Sequence, residues 1–490
     1  MKNAALILSL LILSGCLLVS CGESAPEPSP AQETVPQDVI SETEPETEAL
    51  SGLAAGITPE LKASLGLDGY DFKIYLRNED GSWANKDIDS EALDGEAFND
   101  AVYQRNQYLQ ETYGFTISGF NSSDGNMSDL SKLLLAGDDT YDAVFPQARA
   151  AAACAQQGLL YDLRKLGYLD LEGGSWNSMF NDTLSVMGKT FYATGDISTN
   201  LYDAVRAVIF NKDLVRTYQL DSPYGLVGGG KWTLDALESM AKAAAADLNG
   251  DSKMDKDDQW GMAWQSAISG VVFYYGSGEQ VVDLDDNNIP YYALGGERSV
   301  KVFDRISQMM SDKNTFMLMS DDDGKATFKN GRSLFFTEVI LTLTILRDSE
   351  TDFGIIPLPK FDETQADYIQ FADGWCISAA SVPYCAKNPE LSGYVLQAMA
   401  EANVKEVIPA YYDICLTGKY IRDDESAEML DIIFNNCVLD NSDIFQWAGL
   451  DGAFKTAFTK ETSLEALAEK YRSKMEAAIE KTLAAIEENT

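Results

Sequence analysis

Apolar and polar positions alternate in "DFKIYL" (71–76), which predicts a strand. The pattern then shifts to helical spacing in "GEAFNDAVYQRNQYLQETYG", where Phe98, Val102, Tyr103 and Leu109 make one apolar side and Gly114 closes it. "FTISGF" reads as a strand, "MSDLSKLLLAG" as a helix capped by Ser128, "YDAVFP" as a strand and "ARAAAACAQQGLLYDL" as a helix. Strands alternating with helices predict a parallel α/β sheet. Beyond residue 188 the rhythm changes. "KTFYATGD" and "AVRAVIFNK" are strand-like neighbours, and a helix runs from the cap Thr233 into an acidic loop. "QWGMAWQ" follows as a strand, "ERSVKVFDRISQMMSDKN" as a helix, and "GRSLFFTEVILTLTILRD" as a strand turning into a helix. The prolines of "DFGIIPLPKFD" keep that segment extended, and "YIQFADGWCISAAS" is again strand-like. From Pro389 onward helices dominate, and no solenoid-length repeat occurs.

The first 66 residues carry a different pattern. Lys2 precedes the apolar run Ala4 to Leu13, a signal-peptide profile too short for a membrane span. Two lipobox-like stretches follow, "LSGC" ending at Cys16 and "LVSC" ending at Cys21. The chain turns polar directly after Cys21 but stays apolar after Cys16. Cleavage after residue 20 and lipidation of Cys21 are therefore expected, with Cys16 the other candidate. Residues 21–66 read as an extended linker: "SAPEPSPAQETVPQDVISETEPETEAL" has five prolines and no apolar cluster. A chain of that length reaches roughly 35 Å even when fully flexible. The expected place is the outer face of the cytoplasmic membrane, with contact through the lipid anchor only.

Composition narrows the chemistry. A net charge of −40 over 490 residues repels phosphate backbones, so nucleic acid is not an expected partner. The absence of histidine excludes Ser-His-Asp and Cys-His catalysis and His-ligated zinc, and leaves carboxylate-pair chemistry open. None of the seven cysteines lies in a C-x-x-C spacing; Cys154, Cys376, Cys385, Cys415 and Cys437 read mainly as small buried hydrophobes, with room for one disulfide.

The acidic loop "DLNGDSKMDKDDQWG" spaces oxygen donors as a twelve-residue calcium loop does: Asp247, Asn249, Asp251, the Lys253 carbonyl, Asp255 and Asp258. Two positions depart from that pattern. Ser252 stands where Gly is usual, and the shorter Asp258 stands where Glu closes the loop. A structural Ca2+ is expected; an acidic turn without metal is the alternative. The loop also resembles half a dockerin, but no second loop accompanies it.

Six stretches, in this order, carry a wider resemblance: "AGDDTYDAVFPQARAAAACAQQGLLYDL", "VIFNKDL", "GKWTLDAL", "DLNGDSKMDKDDQWG", "NGRSLFFTE" and "FGIIPLPK". Together they make residues 70 to 485 similar to the family 1 extracellular solute-binding proteins, the group containing maltose-binding protein, and most like the lipoprotein sugar receptors of Gram-positive gut bacteria. Pro146 departs from many relatives, which place a ligand-stacking aromatic there. The resemblance implies a two-lobed α/β fold of the type II periplasmic-binding-protein kind, with ligand held between lobes joined by crossover strands. Crossovers are expected near Ala204 to Asn211, Phe371 to Ala380 and Asp413 to Tyr420. Lobe one then comprises 67–204 and 374–415, and lobe two 205–373 and 416–490.

A sugar site needs flat apolar faces for the ring and planar polar groups for its hydroxyls. Strand ends facing the inter-lobe crevice supply them. On that geometry the candidates in lobe one are Asn78, Trp83, Gln147, Arg149 and Asp196. In lobe two they are Trp264, Gln265, Tyr274 (or its neighbour Tyr275) and Glu338. Trp375 lies in the second crossover, and Trp447 resembles a stacking aromatic of relatives. Trp176, Trp232 and Trp260 are assigned to packing. The expected function is non-enzymatic: a monomer that captures a carbohydrate, an oligosaccharide by preference, and hands it to ABC permease subunits. The alternatives are a surface glycosidase with paired carboxylates and a calcium-dependent adhesion or scaffold module.

Overall fold

The structure, a computed structural model, describes residues 57–77, 83–265, 268–416, 421, 423–460 and 462–489. The signal peptide, Cys16, Cys21, most of the linker and Asn78 lie outside them. No helix among the described residues is long and apolar enough to cross a membrane.

The first sheet contains β1 (Asp71–Leu76), β2 (Thr116–Asn121) and β3 (Ala143–Phe145) in the order β2-β1-β3. All pairings are parallel, with Asp71 opposite Thr116 and Ile74 opposite Ala143. Parallel strands need crossover helices, and the helix Ala97–Tyr113 is one. Gly114 ends it at φ 89°, donating to the Gln110 carbonyl. Ser128 does not cap the next helix: it donates instead to Asp124, and Asp129 precedes Leu130–Leu135 without a side-chain cap. Residues 378–383 return along β3 through antiparallel bridges Val144 to Ser381 and Gln147 to Ser378. A core of Phe72, Ile74, Leu109, Phe115, Phe145, Tyr394 and Met399 joins this sheet to the helices Ala97–Tyr113 and Pro389–Lys405.

The remaining strands are β4 (Arg206–Asn211), β5 (Trp260–Gln265), the hairpin β6 (Val282–Leu284) and β7 (Pro290–Tyr292), β8 (Phe316–Met319), β9 (Ser333–Val339), β10 (Phe353–Ile356), β11 (Gln370–Phe371) and β12 (Cys437–Val438). Five of them form the second sheet, ordered β10-β4-β9-β5-β8. It is mixed: β4 runs antiparallel to β9 and β10, while β5 is parallel to β8 and β9. Burial on both faces explains why β4, β9 and β10 read as near-continuous apolar runs rather than alternating ones. The expected strand "KTFYATGD" forms only isolated bridges, including Ala193 to Ala380.

Trp176, Trp232 and Trp260 are buried, and each such side chain contributes roughly 1.5–3 kcal/mol relative to an exposed one. Thr233 caps the helix Leu234–Ala244 by accepting from the Ala236 amide. That helix presses so closely on β5 that a Cβ at Gly261 would collide with the Ala241 carbonyl. Cys154, Cys376 and Cys437 are buried free thiols and Cys385 is a half-buried one, so the described cysteines form no disulfide.

The two sheets communicate through paired segments. Val205 forms an antiparallel bridge with Ala372, Ile340 donates to the Val205 carbonyl, and Ala372 donates to that of Val438. The chain thus passes from one sheet to the other at adjacent points. A second tie comes from the long helix Leu464–Glu488, whose Thr482 accepts from Gln156, beside the helix Ala148–Ala155.

Candidate functional site

One edge of the second sheet brings polar groups together because β4 begins where β5 and β9 end. Arg206 opens β4, Gln265 closes β5, and Glu338 lies near the end of β9, paired in register with Ala207. The Arg206 guanidinium reaches Glu338 Oε1 at 3.0 Å and Gln265 Oε1 at 3.3 Å. Both charged groups are almost wholly buried, as such a pair must be to stay unscreened.

The site also has an aromatic part. Trp375 is 39% exposed, unusual for so large an apolar ring. It meets Trp83 edge-on, with centroids 6.3 Å apart and planes at 83°. Three contacts fix it. Its backbone amide donates to Asp373, its indole Nε1 donates to Asn126 at 3.2 Å, and Arg77 lies over its ring at 5.4 Å. Arg77 is itself buried and held by the Cys376 and Gly125 carbonyls; burial lowers its pKa to about 10.

Both groups belong to one cavity of about 730 Å³, within the range of small-molecule sites. Trp83, Gln265, Glu338 and Trp375 all line it. Lys86, Arg206, Lys325, Asp373 and Lys455 complete its charged lining, and Thr342, Thr344 and Ile345 add a rim from the segment after β9. Arg206 had a sequence signal: it is the one charge inside the apolar run "AVRAVIF". The lysines had none, since a surface lysine looks alike wherever the fold puts it.

Two expected residues stand behind the wall. Gln147 is buried and donates to Asn126, the same oxygen that holds Trp375. Arg149 binds Asp373 at 3.1 Å, the Asp443 carboxylate, and the Asp443 carbonyl at 2.9 Å. Asp443 also accepts from the Gly374 amide. Arg149 therefore clamps the Trp375 segment to the helix Asn441–Phe445 and does not face the cavity.

Four expectations differ from the structure. Trp264 is fully buried against Phe273 and Phe316, because strand alternation sends it to the face opposite Gln265. Tyr274 is buried in a helix, packed on Phe454 and bonded to Ser299; its neighbour Tyr275 is likewise buried, stacked on Phe371. Trp447 stacks on Phe445 at 4.7 Å and donates to Thr482, in the core. Asp196 accepts from Tyr202 away from the cavity, and burial raises its pKa.

A smaller pocket of about 180 Å³ adjoins the cavity, sharing Lys86, Leu341 and Thr344 with it. Asp87 and Asp203 lie in its lining. Asp87 Oδ2 accepts from Thr199, and Asp203 accepts from Tyr411; burial pushes the Asp203 carboxyl up to about 7.

The acidic loop folds around its own amides. Asp258 accepts from Leu248 and Asp255, and these amide bonds, Asp255's first, hold its carboxyl below the ordinary range. Asp247 accepts from Gly250 and Ser252, Asn249 from Asp251, Asp251 from Lys253, and Asp255 from Asp257. Ser252 takes φ 65° where a Gly was expected, with Gly250 at 76°. The donors are all oxygen, which suits Ca2+. No group of three acidic or cysteine side chains among the described residues is gathered as a metal-ligand set. The loop spans the bridge from Ala246 to Gln259 and leads directly into β5, which ends at Gln265.

No family model matches the sequence, and no curated protein sequence does either. Solved structures do match the fold. The ABC substrate-binding protein Lmo0181 of Listeria monocytogenes, in complex with cycloalternan, aligns over 84% of this chain and 100% of its own at TM-score 0.54 and 14% identity. A sugar transporter of Rhizobium etli in an open conformation aligns over 86% and 99%, at TM-score 0.56 and 14% identity. The GacH receptor of Streptomyces glaucescens, described unliganded and with acarbose, aligns over 83% and 99%, at TM-score 0.55 and 14% identity. At this identity the likeness is one of fold: the chain has the two-lobed α/β architecture of ABC substrate-binding proteins.

Proposed function

We propose that this protein is a family 1 extracellular solute-binding protein that captures a carbohydrate, an oligosaccharide by preference, for an ABC importer. The observation that carries the reading is the cavity lined together by Trp83, Trp375, Arg206, Gln265 and Glu338. Tryptophan faces suit the C–H side of a sugar ring, and planar amide, guanidinium and carboxylate groups suit its hydroxyls. Closure of the lobes would bury the solute and complete its contacts. The structural neighbours, several described with bound sugars, support the same reading.

Enzymatic turnover fits less well. Glu338 is held by Arg206 and Asp373 by Arg149, so both cavity carboxylates are already paired. The protein acts as a monomer, tethered through lipid on Cys21 to the outer face of the cytoplasmic membrane and presenting its solute to permease subunits. A Ca2+ in the loop 247–258 has a structural role, stiffening the lead into β5. Calorimetry against a glycan panel tests the central claim; absence of heat with every sugar and oligosaccharide would remove it.

A further inference from the structure

Trp375 is a large ring that burial alone does not hold, so its place in the cavity lining depends on the backbone that carries it. That backbone is a short turn between β11 and the bridging segment 378–383. Two carboxylates take up its successive amides. Gly374 donates to Asp443 Oδ2 at 2.8 Å, and Trp375 donates to Asp373 Oδ1 at 2.8 Å. The Asp373 carbonyl closes the turn by accepting from Cys376 at 2.8 Å and from Ile377 at 3.2 Å.

One guanidinium fixes both carboxylates. Arg149 Nη2 lies 3.1 Å from Asp373 Oδ1, the same oxygen that accepts from Trp375, and it also binds Asp443 Oδ1. Its Nε donates to the Asp443 carbonyl at 2.9 Å. Arg149 comes from the first turn of the helix Ala148–Ala155, and Asp443 from the helix Asn441–Phe445. The second helix is anchored in turn: Asp440 accepts from the Val281 amide at 2.7 Å, and Asn441 donates to the Thr183 carbonyl at 2.9 Å. Gly374 leaves no slack between turn and helix. A Cβ there would collide with Ile444 and come within 3.0 Å of Asp443 Oδ2.

The residue type matters. Both carboxylates are buried, and buried charges keep a fixed geometry only while a cation balances them. A planar guanidinium serves three acceptors at set angles, whereas an ammonium keeps the charge without the fork. Arg149 does not line the cavity. Any effect it has on binding therefore passes through the residues it holds.

We infer that Arg149 is a positioning residue for solute binding: together with Asp373 and Asp443 it sets the turn Gly374–Trp375, and so the aromatic surface that Trp375 offers a saccharide. The binding part of this inference rests on the carbohydrate reading above; the placing of the ring does not.

The test uses Arg149→Lys in the full chain, alone and combined with Trp375→Ala. Calorimetry with maltotetraose, followed by a wider glycan panel, reads binding. Alone, Arg149→Lys should weaken binding about tenfold, the scale of one charge-assisted hydrogen bond. In the Trp375→Ala background the same change should cost less than about twofold, because the two residues act as one unit. A second readout needs no ligand. The emission of Trp375, isolated by difference against Trp375→Phe, should shift to the red and depolarise in Arg149→Lys. Asp443→Asn keeps the shape and one acceptor oxygen, so it should show both effects more weakly, and it carries the test if Arg149→Lys does not fold. Equal losses of affinity in the two backgrounds, or an unmoved Trp375 signal, would overturn the positioning role. A moved signal in a protein silent toward every saccharide would sustain the placing of the ring and remove the carbohydrate reading.

Discussion

Trp375 lines the cavity while its indole nitrogen donates to Asn126 at 3.2 Å. The ring is thereby aimed from behind, with Arg77 above it and Trp83 at its edge. Preorganised aromatic surface loses little freedom on binding. Trp375→Ala should weaken glycan binding by about 2 kcal/mol, the scale of a well-packed aromatic anchor, which is roughly thirtyfold. Asn126→Ala should cost less, because the ring stays but its orientation loosens. Titration of both variants with the best wild-type ligand checks the order; equal losses would refute the orienting role of Asn126.

The Arg206–Glu338 pair is both structural and part of the cavity lining. Glu338→Gln keeps the shape and removes the countercharge beside a buried guanidinium. Breaking a buried pair costs about 3–5 kcal/mol, and the lower end applies here because the pair borders the cavity. Urea unfolding should show a loss near about 3 kcal/mol. A variant as stable as wild type would mean that water or Gln265 already balances Arg206.

The legible parts of the site were those where strand geometry does the choosing. Gln265 and Glu338 come at strand ends facing the crevice, and Trp375 at the crossover; each position follows from element order. Trp264 failed for a reason visible only afterwards: it sits one residue from Gln265, and a one-residue step reverses the face of a strand. Trp447 and Tyr274 lie in the core because aromatic residues serve core and cleft alike, and the contacts that decide, Phe445, Thr482, Phe454 and Ser299, are distant in sequence or ambiguous in role. The fold class was legible from the βα alternation. The mixed second sheet was not, because strands buried on both faces read alike whichever way they run.

Asp203 gives a pH dependence with a definite sign. Burial raises its carboxyl from 3.8 to about 7, against the opposing hydrogen bond from Tyr411. The folded state therefore holds a proton that the unfolded chain has released, so the stabilising contribution is full below about pH 4 and lost as pH rises to 7. Asp203→Asn should flatten that part of the curve and melt higher than wild type at pH 8. Melting temperatures across pH 5–8 for both proteins provide the check. The difference between them matters, because self-repulsion of the acidic body lowers both at high pH. Parallel curves would show that Asp203 titrates normally.

The calcium loop can be tested apart from sugar. Asp247 and Asp258 spend both oxygens on loop amides, whereas Asn249, Asp251 and Asp255 each engage a backbone amide through Oδ1. A cation bound by the remaining oxygens would stabilise the native state by mass action, so millimolar Ca2+ should raise the melting temperature and chelator should lower it. Asp251→Ala should abolish the increment while leaving metal-free stability close to wild type, since that side chain serves one exposed amide. Because the loop leads into β5, metal removal should also weaken sugar binding modestly through Gln265, without changing the solute preferred. Identical melting with Ca2+ and with chelator would show that the loop is closed by its own amides alone.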